Sequence, residues 1–153
     1  MSNVESLWVR VMSESYNYCV CVCYHPPRPV YQINVIRELL HKNFEQITYS
    51  FPNDVMILAG DLNQLDYSNL LVDFGLSQIV TTPTKLGNIL DVFITNRPDV
   101  FQCVVAKSIL VTDHLCVFVN CIQSPGSEPV QSDGTSNRTE RCRVKCYNRS
   151  VSN

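Results

Sequence analysis

Apolar and polar positions change period several times along the chain, and each change marks an element. Leu7 to Met12 reads as a strand that opens almost at the first residue. Tyr16 to Tyr24 (YNYCVCVCY) reads as a second, with apolar residues on both faces, which predicts burial on both sides. The polar Ser13-Glu14-Ser15 between them predicts a hairpin. His25-Pro-Pro-Arg-Pro29 ends the second strand, because proline donates nothing to a ladder and restricts the residue before it.

From Tyr31 to Tyr49 the spacing becomes helical, with Ile33, Ile36, Leu40, Phe44 and Ile47 recurring on one face. Pro52-Asn53-Asp54 breaks that run. Val55 to Ala59 follows as an unbroken apolar stretch, read as a central strand that ends at Gly60-Asp61-Leu62-Asn63. Ser68 to Phe74 fits a short helix with Gly75 as its stop. Strands are then predicted over Ile89–Thr95, Val100–Ser108 and Leu115–Ile122. Beyond Ser124 the chain turns to Ser, Gly, Pro, Asn, Thr and Arg without a period, which predicts disorder. The expectation is an α/β domain over residues 4–122 with a layered sheet, and a disordered polar tail over 123–153.

Composition narrows the class. The chain has 153 residues, 45% of them apolar and 17% charged, which is a globular balance. A formal net charge of -2 excludes a basic field over the whole surface, so a grip on nucleic acid must be local. In the tail, Arg138, Arg141, Arg143, Lys145 and Arg149 are basic, and a solvated tail is the simpler reading than a phosphate contact. No apolar run approaches the roughly 20 residues of a membrane span, and the N-terminal stretch lacks the pattern of a signal peptide. An intracellular protein, in nucleus or cytoplasm and not secreted, is expected.

Eight cysteines allow a disulfide reading, a zinc reading and a burial reading. Cys19, Cys21 and Cys23 alternate within one strand and share a face, where they are poorly placed to bridge each other and read as small buried hydrophobes. Cys142 and Cys146 have loose metal spacing without a second ligand pair. A secreted disulfide protein, with sequons at Asn137 and Asn148, is the alternative these residues keep open.

Four short constellations stand at predicted strand ends, where a rigid sheet holds catalytic groups. They are Tyr24-His25-Pro26, Gly60-Asp61-Leu62-Asn63, Leu90-Asp91 and Thr112-Asp113-His114. Taken singly, each has an ordinary reading. Gly-Asp is a turn with a capping Asp, Thr-Asp-His a turn with a surface histidine, and Tyr24 a packing residue at the rim. Asp91 is different, because an Asp flanked by Leu90 and Val92-Phe93-Ile94 needs a partner if it points inward. In this order the set suits metal-assisted phosphodiester hydrolysis. Carboxylates bind Mg²⁺ or Mn²⁺, an Asn amide contacts phosphoryl oxygens without adding charge, and a carboxylate-oriented His serves as base or cation.

These segments resemble the endonuclease/exonuclease/phosphatase superfamily, and most of all the endonuclease domain of non-LTR retrotransposons. The similar stretches are VMILAGDLNQLD, SQIVTTPTKLGNILDVFITN, LVTDHLCVFV and CVCYHPP, spread over about Val4 to Asn120. The resemblance implies a partial DNase I-like four-layer α/β sandwich, mainly its C-terminal sheet with the helices. It implies DNA as partner and Mg²⁺ or Mn²⁺ as cofactor. Tyr24 would approach the scissile phosphate, Asp61 would orient the attacking water, and Asn63 would contact phosphoryl oxygens. Asp91 would pair with His114, and Asp113 would lie close to the metal.

The family pattern also carries an Asn and a metal-binding Glu upstream of its Tyr strand, and neither Glu5 nor Glu14 matches that motif. Two expectations follow: weak or absent cleavage, and an apolar sheet face left free for self-association or pairing with another chain. A non-catalytic interaction module or retroelement remnant is the alternative function.

Overall fold

Glu5–Met12 (β1) and Asn17–Tyr24 (β2) form an antiparallel hairpin in which Leu7 faces Val22 and Trp8 faces Cys21. The computed structural model describes residues 4–108, 112–122 and 143–147. Ile33–Ser50 forms helix α1, Val55–Asp61 strand β3, Ser68–Asp73 helix α2, Ser77–Gln78 strand β4 and Asp91–Thr95 strand β5. A 3₁₀ turn at Pro98–Val100 leads into Phe101–Ala106 (β6), which pairs antiparallel with Cys116–Cys121 (β7). Arg143–Tyr147 is β8. β3 joins β2 in parallel and β5 antiparallel, giving a six-stranded sheet ordered β4-β5-β3-β2-β1-β8. The molecule is a mixed α/β structure.

Alternation sorts this sheet into two unlike faces. One carries Trp8, Cys19, Cys21, Cys23, Met56, Leu58, Val92 and Ile94, and α1 and α2 cover it. Ile36, Leu40 and Phe44, spaced by four along α1, are buried in the same core as Leu58 and Ile94. Trp8 stands edge-on to Phe44 at 5.3 Å between ring centroids. Asp54 is the buried charge at this layer's far end, and Arg10 satisfies it through two hydrogen bonds of 2.7 and 3.3 Å.

The opposite face carries Leu7, Val9, Val20, Val22, Tyr24, Ala59, Asp61, Asp91 and Phe93. The β6–β7 hairpin lies over its β5 side, where Phe101 packs against Phe93 at 5.2 Å and Tyr18 at 6.4 Å. Toward β1 the face is open, with Leu7 41% and Val22 51% exposed. The two-sided burial expected for Tyr16–Tyr24 is therefore corrected. Its cysteine side is buried, but its valine side has no complete second layer against it.

Other expectations shift at the edges. Ile89 and Leu90 precede β5, and β6 stops at Ala106 instead of Ser108. Gly75 does end α2, with φ of 61°. Most of the tail read as disordered lies outside the described residues, as do Asn137, Asn148, Arg138, Arg141, Arg149 and Cys142. Disorder does not hold for Arg143–Tyr147, which pairs with β1 from Trp8↔Tyr147 to Met12↔Arg143. The cause is the edge of β1, whose outward backbone groups pair with a segment whose alternation is too short to stand out in sequence. No helix among the described residues is long and apolar enough to cross a membrane.

Candidate active site

The ends of β2, β3 and β5 are drawn level by backbone bonds. His25 N donates to the Asp61 carbonyl at 2.9 Å, and Leu62 N to the Leu90 carbonyl at 2.9 Å. Val22 faces Ala59 and Asp61 faces Asp91, so Tyr24, Asp61 and Asp91 stand in one row on the open face of the sheet. Gly60 makes the row possible. Its φ is 136°, and an added Cβ would stand 2.0 Å from the Cys23 carbonyl oxygen, so only glycine lets β3 pass β2 there.

Beyond Gly60 the chain turns through Asn63, a left-handed residue with φ of 48°. The Asn63 backbone N–H donates to Asp61 Oδ1 at 3.0 Å, and its side-chain amide donates to the His25 carbonyl at 2.7 Å. The turn part of the ordinary Gly-Asp reading therefore holds, but the capping part does not, because α2 begins only at Ser68 with Tyr67 at its N-cap and no side-chain cap. The Asn63 amide keeps a second N–H for another acceptor. His25, 5% exposed, also meets the Tyr31 hydroxyl through Nδ1 at 3.0 Å. Burial lowers its proton affinity, against a smaller opposing pull from Asp61. Tyr24 is 41% exposed.

His114 enters from the loop before β7, its backbone N–H donating to Thr112 Oγ1 at 3.2 Å. Its Nδ1 lies 2.7 Å from Asp91 Oδ2, with both side chains largely covered. Asp91 thus has the inward partner that its apolar strand demands. With Nδ1 engaged, Nε2 is the nitrogen available for chemistry. Asp61, Asp91 and His114 each offer a ligand atom within 4.8 Å of the others. Two carboxylates and an imidazole fit a small divalent cation, and the hard oxygens of Asp61 and Asp91 are the better donors for Mg²⁺.

Asp113, expected close to the metal, is not one of the three grouped ligand residues but stands next to His114 at their edge. Its carboxylate, 72% exposed, takes the Lys85 ammonium at 2.7 Å, while its other oxygen is 3.9 Å from His114 Nε2. The hydrogen bond to Lys85 holds the Asp113 carboxyl below its ordinary range. The same bond raises the Lys85 ammonium, with further support from Asp61 and Asp91. Sequence reasoning gave Lys85 no role. Its only signal was a basic residue in the turn leading to Asp91.

No family model, curated protein or solved structure matches this chain.

A cleft of about 490 Å³ lies among the loops at the ends of β2, β3 and β5, lined by His25, Pro27, Asn63, Lys85, Asn88 and Leu90 among others but by none of Asp61, Asp91 and His114. A smaller hollow of about 220 Å³ lies between α1 and α2. There Arg37 pairs with Asp66 and His41 with Asp73, each at 3.2 Å. Unlike the larger cleft, it is lined by none of the loop residues His25, Asn63 and Lys85 that neighbour the Asp61–Asp91–His114 cluster.

Proposed function

We propose that this site hydrolyses phosphodiester bonds, with DNA as the substrate that the sequence resemblance favours. The observation that carries the reading is the 2.7 Å Asp91–His114 pair beside Asp61. His114 Nε2 takes a proton from water or carries positive charge beside the phosphate, and Asp91 orients the ring and stabilises its charged form. Asp61 accepts a hydrogen bond from the attacking water. Asn63 and Tyr24 donate to phosphoryl oxygens, and Lys85 supplies a fixed positive charge at the edge of the site. Asp61 and Asp91 would hold Mg²⁺ or Mn²⁺, which when bound neutralises charge developing on the phosphoryl group. Asp113 serves this arrangement through its pairing with Lys85. The DNase I-like sandwich stays part of this proposal, with the β6–β7 hairpin as the visible part of a second layer.

The test is nicking of supercoiled plasmid by the purified chain with Mg²⁺ or Mn²⁺. Nicking that disappears in Asp61→Ala and in His114→Ala supports the assignment. Nicking that survives both changes refutes it, and a folded protein that never nicks leaves the site without this activity.

The open sheet face favours a second reading, a non-catalytic module that associates with a second copy of itself. Leu7, Val22 and Tyr24 form the exposed part of that face. Sedimentation that shows a dimer, converted to monomer by Val22→Asp, supports it. A monomer at high concentration rules it out.

A further inference from the structure

We infer that Thr84 is a positioning residue that holds Asp91 and His114 in register from behind. Thr84 is completely buried and belongs to neither β4 nor β5, and its hydrogen bonds run to backbone groups rather than to the reacting side chains. Its Oγ1 accepts the backbone N–H of Leu90 and of Asp91, both at 3.1 Å. Its carbonyl accepts the N–H of Leu115 at 2.8 Å, the residue directly after His114. Its own N–H donates to the Asn88 carbonyl at 2.8 Å, which closes the tight turn over Lys85–Asn88. One residue therefore ties together the backbone beneath both members of the pair.

Two amides converging on one buried hydroxyl make this acceptor hard to replace. β5 begins at Asp91, and the hydroxyl receives the N–H groups of Leu90 and Asp91. Removing Oγ1 takes the side-chain acceptor from two part-buried N–H groups at once, and an unmet buried donor is costly. Without that anchor the start of the strand shifts, and Asp91 shifts with it. Lys85 follows Thr84 directly, so the same anchor sets the root of the side chain that pairs with Asp113. Valine matches threonine in shape but has no acceptor, whereas serine keeps the acceptor.

The geometric claim stands apart from the reaction, and only its kinetic consequence rests on the hydrolytic reading. The experiment is NMR of histidine-labelled full chain, comparing wild type with Thr84→Val and Thr84→Ser. In wild type and Thr84→Ser the His114 Nδ1 proton should resonate far downfield, held by Asp91. In folded Thr84→Val it should be lost to exchange or shift upfield. An unchanged signal in Thr84→Val overturns the proposal.

If the valine variant does not fold, amide exchange in the wild type decides. Leu90, Asp91 and Leu115 should exchange through one common opening, and separate openings overturn the claim. Where nicking is measurable, Thr84→Val should lower kcat about 10–100-fold with KM little changed, the range typical of groups that orient a functional side chain. Absence of nicking in every form would sink the hydrolytic reading while leaving the NMR result to judge Thr84.

Discussion

The two faces of the six-stranded sheet divide packing from chemistry. Under α1 and α2, Cys21, Leu58 and Ile94 are wholly buried beside Ile36 and Phe44. On the same strands, Val22, one residue from Cys21, and Asp61 and Asp91, each three residues from Leu58 and Ile94, lie on the opposite face. A strand can serve both tasks because successive side chains point to opposite faces. The helix side stabilises the sheet, and the other side is free to carry polar groups at one end.

If that division is right, the largest effect comes from deleting volume on the helix side. Leu58→Ala should cost about 2–5 kcal/mol in urea unfolding, because the cavity cannot collapse between sheet and helices. Val22→Ala, on the open side of the neighbouring strand, should stay within about 0.5 kcal/mol. Equal costs for the two would erase the distinction between the faces.

A smaller effect should appear with acid at His25, the buried residue directly after β2. Burial lowers its pKa, so folding favours the neutral ring. Its contribution is intact above the ordinary value near 6.5 and is lost as pH falls from there through the lowered folded value. The fall in Tm between pH 7 and pH 5 should therefore be shallower in His25→Phe than in wild type. An identical pH slope would show that His25 is not the group responsible.

Thiol chemistry should report the burial of the helix-covered face without changing stability. Burial pushes Cys19 up to about 12, aided by its hydrogen bond to Asp54, and pushes Cys23 up to about 11. Cys21 is raised further still by the same cause. All three stay as unreactive thiols at neutral pH, whereas Cys121 is exposed. A thiol reagent at pH 7.5 should label Cys121 in the native protein and reach Cys19, Cys21 and Cys23 only after denaturation. Native labelling of Cys21 would contradict the burial of that face.

Sequence periodicity was enough for α1, because five apolar residues at helical steps leave little choice of face. The hairpin β1–β2 was equally legible from its polar turn. The second layer over β2 was not, since an apolar pattern on both sides cannot say whether a partner layer exists. Nor was β8, where Arg-Val-Lys-Cys-Tyr alternates over too few residues to stand out from a polar tail. In the site, Asp91 declared its need for a partner through its apolar neighbours, and His114 meets that need at 2.7 Å. Thr84 and Lys85 were invisible as functional residues, because their roles depend on which loops the fold brings together. Asp113 shows the same limit, as sequence adjacency to His114 did not reveal that Lys85 occupies its carboxylate.

The most direct test of the central claim is a double-mutant cycle on nicking rate with Asp91→Ala, His114→Ala and the pair combined. If the two act as one unit, the double variant should be about as slow as His114→Ala alone. Losses that multiply, with each residue acting independently, would contradict the account of the site.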